Sequence, residues 1–457
     1  MKFTFFNNIT KWFGCAIVLT TSVSGCGNFL EIAPKEAVAA ESAIVDKTSL
    51  NTAIRGAYRA LGASSYYGEG FVNLGFVPTG DVIYNVADNL SDLNFRSTDA
   101  AFGGPWAAIY NTINIANHII EKAPAIIDVN LTDAERDVII GEAHFIRALA
   151  YFDLARGWGG VPIKLAPTNR PDDGDNTPRS TREQVYELVA NELQRAEELL
   201  PAAVNRIRAT KYTVWALRAR LALYSEQWGA AIDYSSRVIA LTDAFQLVEP
   251  FAAWFLDGAT QTPESIFEIA FSAQNPNGLR TRMSLLARGG EYRYRPGDAV
   301  VNTLRNPKTG GDRIALLDSA RQGGVTQYAG SLYYRSPATD PSYVLRIAEQ
   351  YLIRAEAYTQ LEQLEEAAAD LNRVRNRAKL DPITATTQPA LLDAILEERR
   401  LEFLWEAHRY FDLTRTGRLK EQVEALKPNL RIEPHLAVFP IPVDEVTLGG
   451  LEQNPNY

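Results

Sequence analysis

Residues 349–382 read EQYLIRAEAYTQLEQLEEAAADLNRVRNRAKLDP, and their spacing decides the architecture. Ala355, Tyr358, Ala367, Leu371 and Val374 follow one another at steps of three, nine, four and three. Steps of three and four keep side chains on one helical face, and the step of nine spans a turn between two helices. Small residues let the two antiparallel helices approach, while larger ones fill the groove between them. Pro382 stops the second helix, since its ring cannot continue the hydrogen-bonded ladder. The stretch predicts a helical hairpin.

Working outward, the same periodicity recurs. Residues 219–241 repeat it with a shorter turn, through Tyr224, Ala231 and Val238. In residues 134–158, AERDVIIGEAHFIRALAYFDLARGW, the apolar positions Ile139, Ala143, Ile146, Ala150 and Leu154 fall at helical steps. Asp133 and Glu135 suit the first turn of that helix, and Gly157, Gly159, Gly160 and Pro162 end it. Trp106 to Ala123 forms another run, and residues 183–200 and 211–241 add a further set. Successive hairpins of this kind are tetratricopeptide-like. The fold expected is therefore dominated by α-helix. Residues 171–178 read as a polar loop, and two longer regions, 62–104 and 245–343, lack the period and carry glycines, prolines and aromatics. Such aromatic content argues for ordered, functional loops.

The amino terminus predicts export. Lys2 and Lys11 precede and flank an apolar run through Cys15–Leu19, and no acidic residue occurs before Glu31. Val23-Ser24-Gly25-Cys26 resembles a lipobox, with cleavage before Cys26 and lipid on its sulfur. The expected organisation is a signal peptide over 1–25 and one domain over 26–457. The mature chain then keeps a single cysteine and no internal disulfide. It carries 44 basic and 55 acidic residues, which argues against nucleic acid and against attachment to anionic lipid by charge.

Motifs for catalysis are missing. The histidines, 118, 144, 408 and 435, form no ligand pair, and there is no cysteine nucleophile, P-loop, G-x-S-x-G or dinucleotide fingerprint. No metal and no cofactor is expected. The densest charged stretch is 397–412, EERRLEFLWEAHRYFD. Its carboxylates could serve a glycoside hydrolase that uses a carboxylate pair. At helical spacing, however, Glu398, Glu402 and Glu406 share a face with Arg399, Arg400 and Arg409 interleaved, an arrangement that ties helices together.

Here a resemblance becomes specific. ERRLEFLWEAHRYFDLTRTG (398–417) is similar to the signature of the SusD/RagB family of nutrient-binding outer-membrane lipoproteins of Bacteroidetes. FLEIAPKE (29–36), WAAIYNTINIANHII (106–120), GEAHFIRALAYFDLARGWGGVP (141–162), LRIAEQYLIRAEAYTQL (345–361), DLNRVRNRA (370–378) and the closing FPIP, VDEV and QNPNY follow in the family's order. The resemblance implies an α-helical body with four tetratricopeptide-like units, lipid-anchored at the cell surface. It also implies a partner, a SusC-like TonB-dependent transporter, and an oligosaccharide or other oligomeric ligand. These motifs are scaffold, so the site has to be read from the loops.

A sugar ring stacks its C–H face on aromatic rings and offers its hydroxyl rim to planar polar side chains. Tyr66, Tyr67 and Tyr84, with Asp81 and Asn85, supply both in the first loop region. Tyr292, Arg293 and Tyr294, flanked by Glu291 and Arg295, do so in the second. Residues 280–335 also hold nine arginines and one lysine against four acids. That surplus suits carboxylate or sulfate groups on a ligand, or else pairs with acids elsewhere in the domain or on the partner; the second reading is the simpler. The expectation is a non-enzymatic receptor that hands an oligomeric nutrient to a transporter. A surface hydrolase and a ligand-free assembly protein are the other classes.

Overall fold

The computed structural model describes residues 44–85, 88–168, 177–384 and 387–457. The signal region, Cys26 and most of the polar loop at 171–178 lie outside these residues. The first helices in the chain are α1 (Lys47–Leu61), α2 (Gly70–Phe76), α3 (Ala100–Lys122), α4 (Asp133–Trp158) and α5 (Arg182–Leu199). Next come α6 (Lys211–Tyr224), α7 (Trp228–Ile239), α8 (Gly278–Met283), α9 (Asp298–Arg305) and α10 (Ile347–Gln360). The last are α11 (Leu364–Arg377), α12 (Gln388–Glu402), α13 (Arg409–Arg415), α14 (Leu419–Leu426) and α15 (Val443–Thr447).

The hairpin expected at 349–382 is α10–α11. Ala355, Ala367, Leu371 and Val374 are fully buried in one cluster, with Tyr358 packed against it. The looser repeat is α6–α7, which packs on α10. Helix α4 is the spine of the amino-terminal half. It is buried continuously from Phe145 to Trp158 and contacts α3 on one side and α5 on another. A helix surrounded in this way has no solvent face, which is why its apolar pattern is broad. Capping boxes start it at Thr132–Glu135 and start α5 at Thr181–Gln184, satisfying the free N–H groups of each first turn.

The two aperiodic regions meet each other. Strand β1 (Val82–Tyr84) pairs antiparallel with β3 (Tyr294–Pro296). Strand β2 (Ser265–Ile269) pairs with β6 (Ser342–Arg346), and β4 (Leu317–Gln322) with β5 (Val325–Gly330). Region 62–104 is less irregular than its composition suggests: α2 lies inside it, and Phe71, Val72, Leu74, Phe76 and Val77 are core residues.

Candidate ligand-binding surface

The carboxylates of 397–412 are spent on structure. Glu402 is fully buried and accepts from Arg313 Nε at 2.9 Å and Arg346 Nη1 at 3.0 Å, and also from Arg377. Glu398 takes Arg375 at 2.9 Å and also Arg313, and Asp412 takes Arg399 at 2.8 Å. Among the described residues Glu406 is held by Arg346 alone, at 2.7 Å. Glu398 and Glu402 share a helix face as expected, but α12 ends at Glu402. Glu406 lies beyond it, after Trp405 has taken a φ of 76°, and this turn delivers it to Arg346.

Two neighbouring carboxyls here titrate far apart, the pattern that catalytic acid–base pairs use. Burial works to raise Glu402, but Arg377, Arg313 and Arg346 outweigh it and hold the group down at about 2. Burial raises Glu406 to about 7, against the single opposing Arg346. Neither carboxyl is more than 2 % exposed, so no substrate can reach the pair. It is a locked ion network.

The tyrosines of the first loop divide. Tyr66 and Tyr67, expected at a ligand surface, are in the core at 0 % and 2 % exposure. Their hydroxyls donate to Asp153 Oδ2 at 2.6 and 2.8 Å, and burial raises both phenols well above their ordinary range. Asp81 is also buried, held by Arg400 through Nε and Nη2 at 2.6 to 3.0 Å. Tyr294 faces inward, its hydroxyl hydrogen-bonded to Asn73 Nδ2 at 3.1 Å. These four residues serve the scaffold.

Tyr84, Asn85, Tyr292 and Arg293 reach solvent and come together. Tyr84 pairs across the strands with Tyr294, ring centroids 5.0 Å apart. Beyond the pair, Asn85 N–H donates to the Arg293 carbonyl at 2.9 Å, and Asn85 Nδ2 to the Tyr292 carbonyl at 2.6 Å. Tyr292 is half-buried at a φ of 49° and donates its hydroxyl to the Tyr328 carbonyl at 3.0 Å. Burial raises its phenol, with Arg295 opposing. Arg293 Nη1 lies 3.5 Å from the Tyr84 hydroxyl, and its Nε pairs with Glu291 at 2.5 Å. The result is an open patch of two part-exposed phenols, one amide and a guanidinium, built from two loops some 200 residues apart. Tyr328 on β5 supports Tyr292, a contact the sequence does not signal.

The cavities among the described residues lie elsewhere. One of about 580 Å³ sits between α5 and α6–α7, lined by Tyr186, Tyr224 and Tyr234 among others. Another, of about 240 Å³, abuts α3 at Trp106 and Tyr110. There Asn114 and Asn117 are already bound to backbone of residues 164–168. No group of side chains among the described residues is arranged to hold a metal ion.

A stacked-hairpin scaffold carrying an aromatic surface on joined loops, with its carboxylates sealed in ion pairs, defines a helical-repeat binding protein. Comparison with known proteins places it more narrowly. The SusD family model matches residues 322–457, and a second, described as starch-binding and associating with the outer membrane, matches residues 28–223. A SusD-like protein of Formosa agariphila is 26 % identical, covering 91 % of this chain and 93 % of its own. A SusD superfamily structure from Bacteroides vulgatus superposes with a TM-score of 0.79 at 20 % identity, covering 90 % of this chain and 99 % of that one. A laminarin-binding SusD-like protein gives 0.77 at 20 % identity, covering 91 % and 100 %. The two matches fall on different parts of the chain and together take in most of it, and the chain belongs to the SusD/RagB family of binding proteins that associate with the outer membrane.

Proposed function

We propose that this protein captures an oligosaccharide on the Tyr84–Asn85–Tyr292–Arg293 surface and passes it to a SusC-like TonB-dependent transporter. In this reading residues 1–25 are removed, Cys26 carries lipid, and residues 26–457 act as one binding domain at the cell surface. The observation that carries the proposal is the convergence of both aromatic loops on one exposed patch through β1 and β3. Part-exposed phenol rings beside an amide and a guanidinium suit stacking and hydroxyl recognition. A laminarin-binding protein and a starch-binding family description among the relatives favour a glycan over a peptide.

Titration calorimetry against a panel of soluble polysaccharides tests this. Tyr292→Ala and Tyr84→Ala each weaken binding about tenfold or more, in line with losing a stacked ring. Unchanged affinity in both variants would remove the site from this surface. Co-purification of a large β-barrel from native outer membranes tests the transporter.

A further inference from the structure

The basic surplus of residues 280–335 divides into spent and unspent arginines. Arg313 is buried against Glu398 and Glu402, Arg335 pairs with Asp340, and Arg288 pairs with Asp318. Arg282 bridges Glu69 at 2.8 Å and Glu291 at 2.6 Å. Arg282, Arg313 and Arg335 thus pair with acids outside the stretch, as the simpler reading has it, whereas Asp318 is one of the stretch's own acids. Arg280 donates to the Tyr334 and Arg288 carbonyls, and Arg293, Arg295 and Arg305 lie apart from these.

Arg293 is paired too, with Glu291 at 2.5 Å, since Arg282 on the same carboxylate also has Glu69. Arg295 donates to the neutral Asn85 Oδ1 at 3.0 Å, and its nearest acid, Asp298, is 3.8 Å away and 92 % exposed. Arg305, at the end of α9, has no carboxylate partner among the described residues; its guanidinium sits 5.5 Å from the Tyr328 ring. Strand alternation turns Tyr294 inward and leaves Arg293 and Arg295 facing out. Tyr328, under Arg305, is also the residue whose carbonyl holds the Tyr292 hydroxyl. Two under-neutralised guanidinium groups, Arg295 directly and Arg305 by way of Tyr328, therefore flank the ring that is proposed to stack a sugar, in a chain with a net charge of −9.

We infer that the ligand is an anionic glycan whose carboxylate or sulfate groups are held by Arg295 and Arg305. This rests on the surface proposed above. A guanidinium presents a planar fork of donors that matches the two oxygens of either group, and a neutral glycan gives it no charge to meet. Arg295 is the central anchor, since Asn85 already orients it.

Paired probes test the inference: oligogalacturonate against its methyl ester, and a sulfated galactan against the same polymer desulfated. Calorimetry at about 0.05 and about 0.5 M salt separates charge from stacking. The expected result is that at least one anionic probe binds about tenfold tighter than its neutral partner and weakens with salt. Arg295→Gln and Arg305→Gln then erase the preference without changing the melting temperature. Equal binding within both pairs, a preference that survives in both variants, or failure of every anionic probe overturns the anionic ligand. If a neutral glycan still binds and Tyr292→Ala removes it, the surface stands and only its charge class falls. If Tyr292→Ala and Tyr84→Ala change nothing, surface and inference fall together.

Discussion

Arg346 is 1 % exposed and meets Glu264, Glu402 and Glu406 at once, with Trp254 and Phe403 packed over its guanidinium. Removing it leaves Glu406 buried without its arginine and takes one partner each from Glu264 and Glu402, which keep Arg377. Arg346→Met is expected to cost on the order of 3–5 kcal/mol in urea denaturation, the scale for breaking one side of a buried pair. Glu406 gives the network a pH signature. Its carboxyl rises from the usual 4.5 to about 7 in the folded chain, so between those values the native state keeps a proton that the unfolded state has released. Its contribution to stability is full below about 4.5 and is lost as pH climbs through 7. Glu402, held at about 2, behaves oppositely: its contribution is present above 4.5 and is lost only as pH falls through 2. Melting temperatures measured from about pH 5 to about pH 8 should decline less steeply in Glu406→Gln than in the parent. An equal slope would mean that Glu406 does not titrate there. At this scale the sequence misleads where partners are distant. Tyr66 and Tyr67 look like loop aromatics, yet their partner Asp153 is 87 and 86 residues on. The Arg400 that claims Asp81 is 319 residues away. No local pattern encodes such pairs.

Among the elements, the helices were the most legible part of the chain, because period 3.6 is written wherever one face packs. The α10–α11 and α6–α7 hairpins and α4 lie where spacing puts them. The helix expected from Trp106 begins earlier, at Ala100, and runs through Pro105, a residue that reads as a boundary. Helix α2 was missed, since GFVNLGF is short and holds two glycines. One of those glycines explains the composition. A Cβ on Gly75 would fall 2.3 Å from the Ala407 Cα, so the backbone of α2 touches the turn that carries Glu406. Gly75→Ala is expected to destabilise by about 1–3 kcal/mol or more, read as a lower melting temperature. Gly229 in α7 is the control: a Cβ there meets nothing within 4 Å, and Gly229→Ala should be neutral or stabilise by up to about 1 kcal/mol. The strands were not legible at all. Each is short, and β1 finds its partner only across the fold.

At the scale of the molecule, ion pairs, core and repeats all belong to the scaffold, and the proposed function leaves ligand choice to loops that the scaffold clamps together. Export and attachment are tested at the same scale. Cells fed radiolabelled palmitate should label this protein, and Cys26→Ala should abolish the label; persistence of label in that variant would put the lipid elsewhere. The clamp has a further effect on the timing of competence. Tyr84 meets Tyr294 across the 209 residues between them, α3 to α8 included. On the proposed reading, a chain still being exported, or one clipped inside the scaffold, would hold only half of the binding surface, and capture would be all-or-none, switched on by the completion of folding itself.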